Sequence, residues 1–402
     1  MPDSTWLQGT NPAFRLMIAT SWLSPPTWQE RQEENIRGAI GDGLDWMEYL
    51  RLVDRHRIPA LSWAALGRVP GLEIPGFAKQ ELKKRSDACR MQALNHAMLL
   101  AGVLKSLNRA AIPVMPFKGP TLSSGLYGDV GLRQSRDLDL AVSEGDVFRA
   151  QACLIEMGWR PESNWFPLSP RQQESLLGHE HHLVFFHSQG AGMLELHWRN
   201  TWDPPGTESY CWSDSNTSGW QGCIYQSMNP VIQALYLCRH GAEHAWARAK
   251  WLGDFARIHA EGRLDWEAVL SEARRTGQER ALLASLRLLD LLYGLPLPSL
   301  SGDPWKELPA LLIDAPLKTL RAPEQPLPTV SMASILRLLR KSRYEKLLLP
   351  RGGWRNSWVQ VWYRREDFRL FHIPDRFFWA YAPLRPVSWL WRWARRGMAL
   401  WD

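Results

Sequence analysis

The sequence predicts an α+β fold, a small mixed β-sheet flanked by N- and C-terminal helical regions. Three patterns carry that reading. Apolar residues recur at the three-to-four spacing of a helix face around 88–110 and again over 235–256. Asp137-Leu138-Asp139-Leu140-Ala141-Val142 reads as a strand by its alternation. Residues 181–187 and 193–198 flank Ser188-Gln189-Gly190-Ala191-Gly192, the pattern of a β-hairpin. Strands alternating with helices and followed by a hairpin imply a mixed sheet.

Residues 1–105 are assigned to an N-terminal helical region. Met91, Leu94, Met98 and Ala101 are expected on a core-facing stripe that Leu100, Val103, Leu104 and Leu107 widen. Gly67, Pro70, Gly71, Pro75 and Gly76 place a loop between two helical blocks. Residues 106–200 form the α/β core. The apolar run 112–117 is a short strand that Pro113 and Pro116 confine to an edge or a strand end. Pro120, with its fixed φ and no donor to waste, starts a helix that runs to about Tyr127 and stops at Gly128. After the strand at 137–142, Asp146 is expected to cap a helix with Val147, Ala150, Leu154 and Met157 on its core face, ended by Gly158. Residues 201–229, rich in Gly, Ser, Asn and Pro, read as a linker or surface excursion. Residues 230–330 form a helical domain in which Leu235, Cys238, Ala242, Ala245, Ala249, Leu252 and Ala256 keep one continuous stripe, its small side chains suited to close helix packing. From 294 onward this domain is rich in Pro and Leu and irregular in part. Residues 331–402 are an Arg/Trp-rich C-terminal segment.

Composition bounds the function classes. The chain has 402 residues, 45% hydrophobic and 22% charged, which is globular rather than disordered or fibrous. No apolar run reaches the roughly 18 residues of a membrane-spanning helix; the nearest, 281–300, is broken by Arg287 and Asp290. The N-terminus shows no signal-peptide pattern, so the expected location is cytoplasmic. Cys89, Cys153, Cys211, Cys223 and Cys238 are widely spread and contain no CxxC, so they are expected as free thiols rather than a disulfide framework or zinc site. The net charge is +7, and residues 351–402 account for most of it, with ten Arg and no Lys against four acids. A near-neutral body with a basic, aromatic tail is not the charge distribution of a sequence-specific nucleic-acid binder.

Three acids stand out. On a strand, Asp137 and Asp139 share one face while Leu138 and Leu140 face the core; in the hairpin, Glu195 lies between Met193 and His197 on one face. If the strands are neighbours, the carboxylates converge. Such a group needs a cation to neutralise it, and hard oxygen ligands select Mg²⁺ or Mn²⁺. Solvated acids on an exposed strand face are the plain alternative. Upstream, Phe117-Lys118-Gly119-Pro120-Thr121 forms a strand-end turn into a helix N-terminus, where backbone N–H groups attract phosphate oxygens; Lys118 adds a charge and Thr121 a hydroxyl.

The order of these pieces resembles the nucleotidyltransferase fold of the polymerase-β type. More closely, Phe117-Lys118-Gly119, Leu126-Tyr127-Gly128-Asp129, Arg133, Arg136-Asp137-Leu138-Asp139-Leu140 and Leu194-Glu195-Leu196-His197-Trp198 resemble a bacterial family of largely uncharacterised nucleotidyltransferases, over roughly 85–260. The resemblance implies that Asp137 and Asp139 bind metal and that Glu195 is the third carboxylate, helping to activate the acceptor. It implies that Lys118-Gly119 replaces the usual Gly-Ser pair that holds the triphosphate, with Mg²⁺ (or Mn²⁺) as cofactor and NTP as substrate. Arg133 and Arg136 would clamp phosphates, or Arg133 would ion-pair with Asp129 or Asp146. The acceptor is left open among sugar, peptide and protein.

His179, His181, His182, His187 and His197 crowd the hairpin. Zinc is not the preferred reading, because His181 and His182 point to opposite faces and no cysteine joins them; His182 or His197 is expected as a pocket group. His240, His244, Trp251 and Asp254 fall on one helical stripe, either as packing or as a lid that lines the acceptor site. Residues 354–401 hold fourteen aromatics, Trp389, Trp391, Trp393 and Trp401 among them, interleaved with Arg392, Arg395 and Arg396. Packing of these rings on the body is the expected role, and peripheral membrane contact is the alternative. The leading function is a metal-dependent nucleotidyltransferase. Its rivals are a catalytically inactive binding module that docks through the tail and a phosphohydrolase using His240, His244 and Asp254.

Overall fold

The computed structural model describes residues 7, 9–41, 43–162, 167–188, 192–200, 212, 214–322, 329–339 and 365–398. In chain order the helices α1 (Pro12–Ala19), α2 (Gln29–Ile40), α3 (Trp46–His56), α4 (Pro59–Gly67) and α5 (Gly76–Arg109) precede the sheet. The core follows as β1 (Met115–Pro116), α6 (Gly119–Tyr127), β2 (Asp137–Ala141), α7 (Val147–Glu156), β3 (Trp159–Pro161), α8 (Pro170–His179), β4 (His182–His187) and β5 (Met193–His197). A separate hairpin, β6 (Asn216–Trp220) and β7 (Cys223–Ser227), lies within the stretch read as a linker or surface excursion. The helices α9 (Pro230–Glu243), α10 (Ala249–Ala260), α11 (Trp266–Arg275), α12 (Glu279–Tyr293), α13 (Leu311–Arg321) and α14 (Thr329–Leu339) come next, and α15 (Arg365–Leu370) and α16 (Tyr381–Met398) end the described chain. This is the α+β architecture expected.

The five-stranded sheet has the order β1-β2-β5-β4-β3. Only β2 and β5 run parallel; β1 on β2, β4 on β5 and β3 on β4 are antiparallel. The β2–β5 register sets Leu138 opposite Leu194 and Leu140 opposite Leu196. These four leucines, with Leu183 and Phe185 of β4, bury one face of the sheet against Leu100, Val103, Leu104 and Leu107 of α5 and Val147, Ala150 and Leu154 of α7. A second, larger core joins α1–α4 to α9–α13.

Local signals act as expected around the turn into α6. Pro120 sits in its first turn, and Gly128 ends it in the left-handed region at φ 71°. Two helical stripes differ from expectation. On α5, Met91, Leu94 and Met98 are exposed, while Ser86, Cys89, Ala93 and His96 face the body ahead of Leu100 and Val103. The buried stripe has the same period but begins with polar residues, which hid it. Over 235–256 all seven stripe residues are buried, but the helix is not continuous. Ala245 and Trp246 turn left-handed at φ 45° and 50°, and the Trp246 N–H donates to Gly241 O at 2.7 Å. The Trp246 ring folds back over Gly241, where a Cβ would come within 2.2 Å of it. Asp146 sits at the cap of α7 but makes no side-chain capping bond; its carboxylate takes Ser143 Oγ at 2.8 Å and Arg149 Nη1 at 2.5 Å instead. Cys89, Cys223 and Cys238 are buried free thiols and Cys153 is a half-buried one, while Cys211 lies outside the described residues.

The tail packs by one side only. The Tyr381 hydroxyl donates to Phe371 O at 2.6 Å and accepts from Gln172 Nε2 at 2.9 Å. Buried Asp367 takes Arg385 Nη1 at 3.0 Å and the Ser388 hydroxyl. Phe377, Trp379, Val387, Trp389, Leu390 and Trp391 are exposed, so the expected packing of rings holds for Phe368 and Tyr381 and not for these. The side chains of Arg392, Trp393, Arg395, Arg396 and Trp401 lie outside those described. Among the described residues no helix is long and apolar enough to cross a membrane.

Candidate active site

The sheet face opposite the leucines carries the chemistry. Asp139 is the register partner of Glu195, and His182 is that of His197, so all four project from one face. The ligand atoms of Asp139, Glu195 and His197 lie within 4.8 Å of one another, which among the described residues makes them the group able to hold a metal ion. Asp137 shares this face but stands outside that group; its carboxylate Oδ1 is 3.3 Å from Ser135 Oγ.

Charge is balanced locally. Lys118 Nζ lies 3.3 Å from Asp139 Oδ1, and His197 Nε2 lies 3.6 Å from the same oxygen and 3.2 Å from Glu195 Oε2. Burial pushes the Asp139 carboxyl up, but Lys118 and His197 outweigh it and hold it below the usual range. The His197 hydrogen bond keeps Glu195 low against its burial. Burial would lower His197, and its bonds to Asp139 and Glu195 raise it instead. Burial likewise would lower Lys118, which the Asp139 charge raises. Asp137 is raised, by burial first and then by Asp139. Two atoms of the site are left over: buried Asp139 Oδ2 and His182 Nδ1 have no hydrogen-bond partner among the described residues. A buried carboxylate oxygen without a donor is costly, and beside a second carboxylate and an imidazole it fits a divalent cation.

The turn that carries Lys118 is built by Gly119, whose φ of 67° puts it in the left-handed region that favours glycine. Gly119 opens α6, with Lys118 at its N-cap. The Thr121 hydroxyl is turned back on this turn, 3.2 Å from Lys118 O and 3.4 Å from Pro116 O.

Aromatic rings extend the site in both directions. His182 stacks on His197 at 5.1 Å between centroids, and Phe117 meets His197 edge-on at 5.1 Å. Phe117 then contacts Tyr236 at 5.3 Å, Tyr236 stacks on His240 at 6.1 Å, and His240 meets His244 at 4.8 Å and Trp251 at 4.9 Å. Lys118 Nζ sits 5.5 Å and 5.6 Å from the Phe117 and Tyr236 ring centres. Burial lowers His182 and His240, each to a neutral, stacking imidazole at pH 7, while His244 is exposed just beyond the end of α9.

Asp254 does not join this row. It is fully buried and accepts from Arg133 Nε at 2.7 Å and from the Tyr127 hydroxyl at 3.3 Å. The Arg133 guanidinium is thereby committed inside the protein, with neither Asp129, which pairs with Arg90, nor Asp146, which pairs with Arg149. Arg136 is exposed at the entry to β2. Two residues were missed in the sequence. Tyr236 had a faint signal, lying one helical turn before His240. Lys250 had none; it is buried, donates to Gln134 O at 2.8 Å, and burial, with Arg133 nearby, pulls its amine down to about 7.

A short parallel strand pair with acids on one face, entered by a turn at a helix N-terminus, defines a nucleotidyltransferase-type core. A family model described as uncharacterised nucleotidyltransferase matches residues 42–294, well over half of the sequence, and the chain belongs to that family. The match extends beyond 85–260 on both sides and takes in all of α3 and α12. No curated protein and no solved structure matches the chain.

Proposed function

We propose that this chain is a metal-dependent nucleotidyltransferase that moves a nucleoside monophosphate from NTP to a hydroxyl of a sugar, peptide or protein and releases pyrophosphate. The observation that carries this reading is the unpartnered, buried Oδ2 of Asp139 beside Glu195 and His197. Mg²⁺ or Mn²⁺ bound by Asp139 and Glu195, with Asp137 on the same face, would neutralise phosphate charge and activate the attacking oxygen.

The protein's own groups do the rest. Glu195, held ionised by His197, accepts the acceptor's proton as its oxygen bonds to the α-phosphorus. The bond from that phosphorus to the α–β bridging oxygen breaks, and its electrons leave with pyrophosphate. Lys118, the amide at Gly119 and the start of α6 attract the departing charge, Thr121 shapes the turn, and Arg136 reaches phosphate from outside. His182, His197, His240 and His244 offer stacking faces for the base or acceptor. Arg133 and Asp254 are positioning residues that tie the entry of β2 to α10. NTP supply fits a cytoplasmic enzyme, and the exposed aromatic residues of the tail favour peripheral contact with an anionic membrane.

Asp139→Asn and Glu195→Gln test the site. Each removes a ligand charge whose transition-state value is several kcal/mol, so transfer of labelled nucleotide should fall on the order of 10³-fold while cooperative thermal unfolding persists. Normal turnover in both variants would remove the acids from the reaction. Calorimetry with ATP, GTP, CTP and UTP separates the enzyme from an inactive binding module, which is silent for all four with Mg²⁺ present.

A further inference from the structure

Three stretches far apart in sequence are pinned together at the entry of β2. The Ala249 N–H donates to His56 Nδ1 at 3.1 Å, an Arg248 guanidinium nitrogen donates to Arg55 O, and Lys250 Nζ donates to Gln134 O at 2.8 Å. His56 Nε2, 3.0 Å from Leu320 O, fixes the opposite side of that imidazole. The end of α3, the start of α10 and residues 134–137 therefore share one corner, and it gathers positive charge.

Arg55 is spent there, donating to Ala322 O at 2.6 Å, Ala247 O at 3.0 Å and Thr319 O at 3.0 Å. Arg57 and Arg136 are not: neither guanidinium has a hydrogen bond or salt bridge among the described residues. Arg57 also occupies the left-handed region at φ 57° and ψ 50°, the helix-ending position that glycine fills without strain. A strained backbone that carries a half-buried, unpaired guanidinium is a structural cost with no return inside the fold. Arg248 and Arg136 lie close enough that their charges, after burial, pull the Arg57 guanidinium down to about 10, while Asp137 pulls the other way.

We propose that Arg57, Arg136 and Arg248 form a phosphate-binding subsite adjoining Asp137. Three guanidinium groups gathered at one corner, those of Arg57 and Arg136 without a hydrogen bond or salt bridge among the described residues and that of Arg248 held by Arg55 O, suit the oxygens of a phosphate chain, and an arriving anion would relieve the mutual repulsion of the three. The transferase reading decides only whose phosphate it is: the triphosphate of NTP or a phosphate borne by the acceptor.

Inorganic tripolyphosphate is the probe, titrated calorimetrically into the full chain in EDTA so that the acid site plays no part. The wild type should bind it, more weakly as salt rises. Arg57→Gly removes the fork and relieves the backbone, so its melting temperature should hold or rise while tripolyphosphate affinity falls about tenfold or more. Arg136→Gln should weaken binding similarly. Asp139→Asn should still bind, which keeps this test separate from that of the transfer chemistry. ATP that competes with tripolyphosphate places the nucleotide in the subsite; ATP–Mg²⁺ that binds beside saturating tripolyphosphate assigns it to a phosphorylated acceptor. Absence of tripolyphosphate binding by the wild type, or wild-type affinity in Arg57→Gly and Arg136→Gln, overturns the proposal.

Discussion

Asp139 and Glu195 face each other across the parallel β2–β5 pair, and one imidazole nitrogen of His197 reaches both carboxylates, at 3.6 Å and 3.2 Å. Two carboxylates so placed repel each other, and the resting protein sets against them the Lys118 ammonium and the His197 imidazole, whose protonated form those carboxylates favour. A divalent ion at the same oxygens competes with the proton on that imidazole.

Ion binding should therefore depend on pH. His197 titrates above its ordinary value of 6.5, and binding at Asp139 and Glu195 favours the neutral ring. Mg²⁺ affinity should rise with pH, by about tenfold per unit for one displaced proton, and level off above the folded-state pKa. In the metal-free protein the sign is opposite. The raised pKa contributes stability that is complete below 6.5 and disappears as pH rises through the folded-state value. Mg²⁺ titrations across this range in wild type and His197→Asn check both; an affinity flat in pH in the wild type contradicts the coupling.

Much of this site is legible in the residues alone. Alternation sets Asp139 and Leu138 on opposite faces of β2, and the bracketing Pro120 and Gly128 mark α6. Reach is not legible. Asp137 and His197 both lie on the correct face, yet only His197 closes on Asp139 and Glu195, because strand period dictates direction but not side-chain approach. The break at Ala245 and Trp246 is equally hidden, since the buried stripe continues across it and apolar spacing does not encode the turn that folds the Trp246 ring back over Gly241. The same break lets His240 and His244 face the site while Asp254 turns to Arg133, a separation that an unbroken helix would not predict.

The Arg133–Asp254 pair makes a second prediction. Both side chains are almost fully buried, so removal of one leaves an uncompensated charge. Arg133→Met or Asp254→Ala should cost about 3–5 kcal/mol in unfolding free energy, whereas Arg133→Met with Asp254→Leu should recover much of it. Urea unfolding at neutral pH measures all three. Single variants within about 0.5 kcal/mol of wild type would show that the pair does not bear on folding.

The tail supplies the last prediction. Helix α16 is anchored on one side through Tyr381 and Ser388, and turns Val387, Trp389, Leu390 and Trp391 outward, next to Phe377 and Trp379 of the preceding turn. Exposed aromatics on an amphipathic helix, in a segment with ten Arg against four acids, suit the interface of an anionic bilayer, where rings enter the headgroup boundary and each basic residue adds about 1 kcal/mol. Trp379 and Trp389, 66% and 57% exposed, can be replaced without opening the core. The full chain should co-sediment with phosphatidylglycerol vesicles and not with phosphatidylcholine alone, and raised salt should weaken the association. Trp379→Ser with Trp389→Ser should reduce binding about tenfold or more, since each ring carries on the order of 1.5 kcal/mol or more of buried apolar surface, with the melting temperature unchanged. A wild-type chain that stays in the supernatant with anionic vesicles at low salt would leave these rings without a membrane role.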